Sequence, residues 1–306
     1  MKAAIIAGAD GFLGSRLVKQ LLDNSITVFA LVQNPEKLKV DNKRLKIIRF
    51  DLEDLSILEE VLPKSSDAYF NMAWSGVSTT VKNDYSLQMR NINYGLSTMK
   101  LAAKLQCGKV IFPGSTSEYA YSSMPITSNS LPAPNDAYSA CKLATKYLCE
   151  IYALQHNLCF IWAPITSIYG PGRNDNNLIT YTIKSLLEHK TPKYTGLAQQ
   201  WDYIYISDLI DALFLLASKN NISSGTYPIG SGQHKTLKEY VETIKDIVDK
   251  NAILEIGALP YKTSRIDNCI IDIMDIEEAT GFSPRVTFEE GIKKTVKYFA
   301  FKTKQI

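Results

Sequence analysis

The chain has 306 residues, 45% of them hydrophobic and 21% charged, the balance of a globular protein rather than a disordered one. Its 34 basic and 31 acidic residues leave a net charge of +3, too small to draw nucleic acid or a membrane surface as the main partner. Five cysteines (Cys107, Cys141, Cys149, Cys159 and Cys269) form no CxxC pair and no metal spacing, so no metal is expected. They read as reduced thiols of a cytoplasmic protein. No apolar run is long enough to cross a bilayer, and Met1 to Ala7 is too short for a secretory signal.

The chain opens on a short apolar run, Lys2 to Ala7. Gly8-Ala9-Asp10-Gly11-Phe12-Leu13-Gly14 follows at once, and then a helical pattern from Ser15 to Leu22. A buried strand, a glycine turn and a helix N-terminus make an anion site. Backbone N–H groups and the helix dipole point at a phosphate, and glycines let it approach the backbone. This predicts a dinucleotide held against the first helix. Further strands are expected at Ile26 to Val32, Leu45 to Phe50, Ala68 to Ala73, from Lys109 to Phe112 onward, and at Cys159 to Ile165. Helices are expected between them at Leu55 to Leu62, Tyr85 to Leu105 and Asn135 to Gln155. Strands separated by helix-length segments predict an α/β fold, a Rossmann-type doubly wound parallel sheet with its ligand crevice at the carboxyl ends of the strands.

Tyr169-Gly170-Pro171-Gly172 marks a boundary. Beyond it, helices are expected at Leu178 to His189, Ser207 to Ala217, Leu237 to Val248 and Phe288 to Phe299, with a strand at Tyr203 to Ile206. The expected organisation is a dinucleotide-binding domain over 1–170 with return segments near 203–230. A smaller C-terminal substrate lobe takes 171–202 and 231–306.

Tyr138-Ser139-Ala140-Cys141-Lys142 puts a phenol and an amine on one face of a helix. An ammonium near a phenol favours phenolate, so Lys142 is expected to lower the pKa of Tyr138 and make it a general acid/base. Ser115 lies at the end of the fifth strand, where this architecture places its site.

With these residues in place, the chain resembles the extended short-chain dehydrogenase/reductase family, the nucleotide-sugar epimerases, dehydratases and reductases. GADGFLG resembles the family's GxxGxxG turn, VIFPGSTSEYA its strand ending in a catalytic Ser/Thr, and YSACK its Tyr-xxx-Lys pair. IYGPG, YIYISD, YPIGSG and GFSP are similar to later landmarks in the same order. The resemblance implies that Tyr138 transfers a proton, that Lys142 holds the nicotinamide ribose and tunes Tyr138, and that Ser115 hydrogen-bonds the reacting oxygen. It implies cofactor contacts from Gly8, Asp10, Gly11, Phe12, Leu13, Gly14, Gln33, Asn34, Asp51, Leu52 and Ala73, with Asp51 beside the adenine. It also implies a homodimer that pairs the helices Tyr85 to Leu105 and Asn135 to Gln155 of each copy, whose surplus apolar positions include Leu143, Tyr147, Leu148, Ile151 and Tyr152.

Several positions depart from that pattern. Dehydratases of the family carry Asp-Glu directly after the catalytic Ser/Thr, and here Thr116-Ser117 stand there, with Glu118 one place too late. The second strand ends Leu31-Val32-Gln33-Asn34, without the carboxylate that binds the ribose 2′-OH of NAD. NADP(H) is therefore favoured, with NAD(H) as the alternative. Trp201 replaces an Arg that clamps the diphosphate, and Ser167 replaces an Asn. Arg173 and Arg265 remain as candidate pyrophosphate ligands, Arg265 equally readable as a surface ion pair. Trp201 stacks on a base or packs the lobe, and Trp74 walls the sugar site or packs the core. The expected activity is NADPH-dependent reduction of a nucleotide-4-keto-6-deoxyhexose for deoxysugar and surface polysaccharide synthesis. The rivals are an NAD-dependent 4-epimerase, a 4,6-dehydratase and a non-catalytic NADP-binding regulator.

Overall fold

Strand β1 (Ala3–Ala7) lies inside a parallel sheet and pairs with β2 (Thr27–Val32) on one side and β4 (Ser66–Asn71) on the other. The structure is a computed structural model that describes residues 1–51, 55, 57–78, 80–120, 124–173, 175–261 and 268–303. With β3 (Leu45–Arg49), β5 (Cys107–Ser115), β6 (Cys159–Ile165) and β9 (Gly225–Thr226), the seven-stranded order is β3-β2-β1-β4-β5-β6-β9. Every pairing in it is parallel. The order reverses between β1 and β4, so a crevice opens beyond their carboxyl ends.

Side chains alternate across β1. Ala4 and Ile6 face a core layer holding Leu17 and Leu21 of α1 (Gly14–Asp23) and Leu209 and Leu213 of α6 (Ile206–Ser218). Ile5 and Ala7 face the opposite layer, with Met99 and Ala102 of α3 (Tyr85–Lys104) and Cys149 and Ala153 of α4 (Ala137–Gln155). Burial on both faces is what a central parallel strand requires, and each large buried aliphatic side chain contributes about 1.5–3 kcal/mol. This is the Rossmann-like α/β fold.

The segment after β6 builds a second, three-stranded sheet in the order β10-β8-β7, from β7 (Ser167–Tyr169), β8 (Gln200–Tyr205) and β10 (His234–Thr236). Of the return segment near 203–230, α6 and β9 lie with the large sheet, whereas β8 joins the small one. Helices α5 (Leu178–Leu187), α7 (Leu237–Val248), α8 (Met274–Thr280) and α9 (Phe288–Thr303) complete this part. Between β3 and β4, the helix expected over Leu55 to Leu62 is one turn, α2 (Leu58–Val61). Among the described residues, no helix is long and apolar enough to cross a membrane.

Helices α3 and α4 pack side by side on one face of the sheet, yet their outer surface stays apolar. Leu154 is 83% and Ile151 55% exposed, with Tyr147, Leu148, Tyr85 and Met89 also exposed. Leu143, expected on that surface, is instead buried in the core.

Candidate active site

The glycine turn closes against the start of the loop after β4. Gly8 has φ +74°, in the left-handed region, and a Cβ on it would lie 2.9 Å from the backbone nitrogen of Ala73. A Cβ on Gly14 would collide with the carbonyl of Gly8. Helix α1 has Leu13 as N-cap and no side-chain cap; the N–H groups of Ser15 and Arg16 bond back to the carbonyls of Gly11 and Leu13, and among the described residues no acceptor meets those of Phe12, Leu13 and Gly14. An uncapped helix end behind close-approach glycines fits a dinucleotide pyrophosphate. Asp10 ties this turn to the loop after β2, its Oδ2 accepting from the backbone N–H of Asn34 at 3.1 Å. The Asn34 side chain caps a short 3-10 turn at Pro35–Lys37, and Gln33 is exposed beside it. Asp51 stands exposed just past β3. Leu52 and Arg265 lie outside the described residues.

Ser115 is the last residue of β5, level with Ile165 of β6. Its Oγ lies 2.7 Å from Ser117 Oγ, and its hydroxyl, close to the phenol of Tyr138, opposes the rise in that phenol's pKa. Helix α4 starts where Asp136 caps it, Oδ1 accepting from Ser139 N–H at 2.7 Å, an interaction of about 1 kcal/mol. That cap sets the first turn and so aims Tyr138 at the end of β5. Lys142, one turn on, donates from Nζ to the carbonyl of Pro113 at 2.7 Å. The sequence therefore brings Ser115, Tyr138 and Lys142 to one place at the carboxyl end of the sheet.

Tyr138 is almost wholly buried, and burial pushes its phenol up from the ordinary value, with the charge of Glu118 adding to the rise. Burial pushes the Lys142 ammonium down, opposed by Glu118. A phenol is protonated at neutral pH in any case, and burial makes Tyr138 hold its proton more tightly than a free tyrosine.

Trp74 covers this site. Its indole meets Tyr138 edge-on with ring centroids 5.9 Å apart, and Lys142 Nζ lies 4.1 Å from the Trp74 ring. Two buried amides of α3 hold the loop that carries it. Gln88 accepts from Trp74 Nε1 at 3.0 Å, and Asn91 pairs with both backbone groups of Ser75. Lys82 was not singled out by any motif, yet its ammonium sits 4.8 Å from the Tyr138 ring and 3.7 Å from Asp136. Asn83 beside it accepts from the Ala137 N–H at 3.0 Å and pins the loop to α4.

The remaining expected residues are mostly engaged with the protein itself. Ser117 shares a hydrogen bond with Ser115, and Thr116 lies beside the thiol of Cys269. Glu118 is wholly buried, accepting from Ser115 N–H at 2.6 Å and from Trp162 Nε1 at 2.9 Å. Trp201 packs against the core beside β7 and donates from Nε1 to Ser167 Oγ at 2.9 Å. Arg173, expected to be free for a pyrophosphate, is bound in two places by Asp175 at 2.7 Å, and it also donates to the carbonyl of Ile168. Its charge is matched by Asp175 within its own loop.

The model of the NAD dependent epimerase/dehydratase family matches residues 4–230. The chain is 25% identical to a probable GDP-L-fucose synthase 1 of Oryza sativa subsp. japonica, over 96% of this chain and 90% of that one. It is 24% identical to the dTDP-glucose 4,6-dehydratase of Haemophilus influenzae, over 98% of each. Its fold matches that of a UDP-glucuronic acid 4-epimerase from Bacillus cereus solved with UDP-glucuronic acid and NAD. The TM-score there is 0.87 at 23% identity, over 98% of this chain and 99% of that one. The glycine turn, the parallel sheet and the family match over most of the length lead to one assignment: this chain is an enzyme of the NAD dependent epimerase/dehydratase family.

Proposed function

We propose that this enzyme reduces the C4 ketone of a nucleotide-4-keto-6-deoxyhexose with NADPH, supplying a deoxysugar for surface polysaccharide. The observation that carries the reading is the placement of carboxylates around Ser115. Thr116 and Ser117 are uncharged, and Glu118 is buried on Ser115 N–H and Trp162 Nε1. Dehydration needs an acid and a base at the sugar, whereas reduction needs one proton donor. Tyr138 is that donor, its proton held more tightly by burial. Ser115 orients the substrate oxygen toward it. Lys142 binds the nicotinamide ribose, and its charge offsets the one that Tyr138 acquires on giving up its proton.

The backbone of Gly8, Gly11, Phe12, Leu13 and Gly14 is proposed to hold the pyrophosphate, with Ala73 closing the turn, Asp51 beside the adenine and Gln33 and Asn34 at its ribose. When bound, the nicotinamide supplies the hydride to the sugar carbon. No carboxylate ends β2, since Val32 is buried and Gln33 exposed, and Asp10 is engaged by Asn34. This supports NADPH over NADH. Trp74 is proposed to wall the sugar site, and the 1–170 domain and C-terminal lobe to close on the substrate between them. The exposed apolar stripe of α3 and α4 supports a homodimer. The test is incubation of the purified enzyme with a panel of nucleotide-4-keto-6-deoxysugars and NADPH, following cofactor loss and product stereochemistry. An NAD-dependent 4-epimerase would interconvert C4 epimers without net cofactor use.

A further inference from the structure

We propose that Glu118 is a positioning residue of this site, holding Ser115 by its main chain and acting across the indole of Trp162 as the buried counter-charge of Lys142. This rests on the roles of Ser115, Tyr138 and Lys142 proposed above. A carboxylate with no exposed surface costs several kcal/mol unless it is hydrogen-bonded and paired. Glu118 is both. Oε1 accepts from Ser115 N–H at 2.6 Å, and Oε2 accepts from Trp162 Nε1 at 2.9 Å. The first bond fixes the backbone from which the Ser115 hydroxyl projects. The second fixes an indole whose ring centroid lies 5.6 Å from Lys142 Nζ.

The space for that indole is made in the sequence. A Cβ on Gly114 would collide with Trp162, lying 2.9 Å from its Cε2, so a glycine precedes Ser115 where the indole passes beneath. Gly114, Trp162 and Glu118 are therefore one unit. Lys142 itself is enclosed by neutral groups, the ring of Trp74 at 4.1 Å and the carbonyl of Pro113 at 2.7 Å. Glu118, ionised over the alkaline range in which Lys142 titrates, opposes the loss of its charge. The other groups facing Glu118 are Lys146 and Tyr138 on α4 and Tyr119 next to it in sequence, and Lys146 also pairs with Glu150 at 3.7 Å.

The direction of the effect follows. Glu118 raises the pKa of both Lys142 and Tyr138. Without its charge both groups lose their protons more easily, so the alkaline limb of the reduction rate moves to lower pH.

The experiment uses the full chain and two variants. Glu118→Gln keeps an acceptor for Ser115 N–H but turns an amide donor toward Trp162 Nε1. Glu118→Gln/Trp162→Phe removes that clash and stays uncharged. The Lys142 titration is read by NMR of the lysine side chains in the cofactor-free protein, assigned by its loss in Lys142→Arg. In whichever variant unfolds cooperatively, it is expected to move down by about one pH unit or more, and the alkaline limb with it. An unmoved Lys142 titration in the folded variants overturns the proposal, even if the wild type reduces a 4-keto sugar. A shifted titration with no turnover of any sugar in the wild type supports the pairing and instead sinks the ketoreductase reading.

Discussion

Trp201 on β8 donates its indole N–H to the hydroxyl of Ser167 on β7 across 2.9 Å. These are the two positions at which the sequence departs from the family's Arg and Asn, and they form a single contact. The neutral pair ties two strands of the small sheet together where charged and amide ligands are otherwise expected. Ser167→Ala should destabilise the fold by about 1 kcal/mol, because it leaves a partly buried N–H without its acceptor. Thermal unfolding of Ser167→Ala, Trp201→Phe and the double variant forms a cycle with an expected coupling of about 0.5–1.5 kcal/mol. Additive losses would mean that the contact contributes nothing.

Tyr138→Phe keeps the ring that packs against Trp74 and removes the proton donor. Turnover should fall by about two to four orders of magnitude. Cofactor affinity, measured by fluorescence titration, should change little. Turnover at the wild-type rate would move the donor role to another group.

Gln33→Asp places a carboxylate at the end of β2, where the 2′-phosphate of NADPH is proposed to lie. Calorimetric titration should find NADPH bound more tightly than NADH by the wild type, and the order reversed in the variant. Tighter NADH binding by the wild type would remove the argument from the end of β2.

The apolar stripe on α4 should be covered by a second copy. Leu154→Glu with Ile151→Lys places charges in that contact, and sedimentation should then find a monomer where the wild type is a dimer. Because both side chains are exposed in the single chain, the variant should fold normally. A wild-type monomer at micromolar concentration would contradict the pairing.

The parallel sheet was legible because its signals are local. Apolar runs such as Ala3–Ala7 and Thr27–Val32 alternate with helical periodicity, and the glycine turn stands at the first junction. Ser115, Tyr138 and Lys142 were legible through strand-end position and helical spacing. Strand β7 was not, because Ser167–Tyr169 becomes a strand only through its register with β8. Strands β9 and β10 are as short and as dependent on distant partners. The spacing of Tyr138 to Lys142 is local and legible, whereas the burial that pushes the phenol up is tertiary and is not. Lys82 carries no motif and reaches Tyr138 only because Asn83 pins its loop to α4. Glu118 was visible as a nearby carboxylate, but its buried pairing depends on Trp162, distant in sequence.

The most direct measurement is the stoichiometry of NADPH against sugar. With a nucleotide-4-keto-6-deoxyhexose, the absorbance of NADPH should fall mole for mole as a single C4 alcohol appears, and a plain nucleotide-hexose should give no 4-keto product. A 4-keto-6-deoxy product formed from a nucleotide-hexose without net cofactor use, or interconversion of two C4 epimers under the same conditions, would contradict the account.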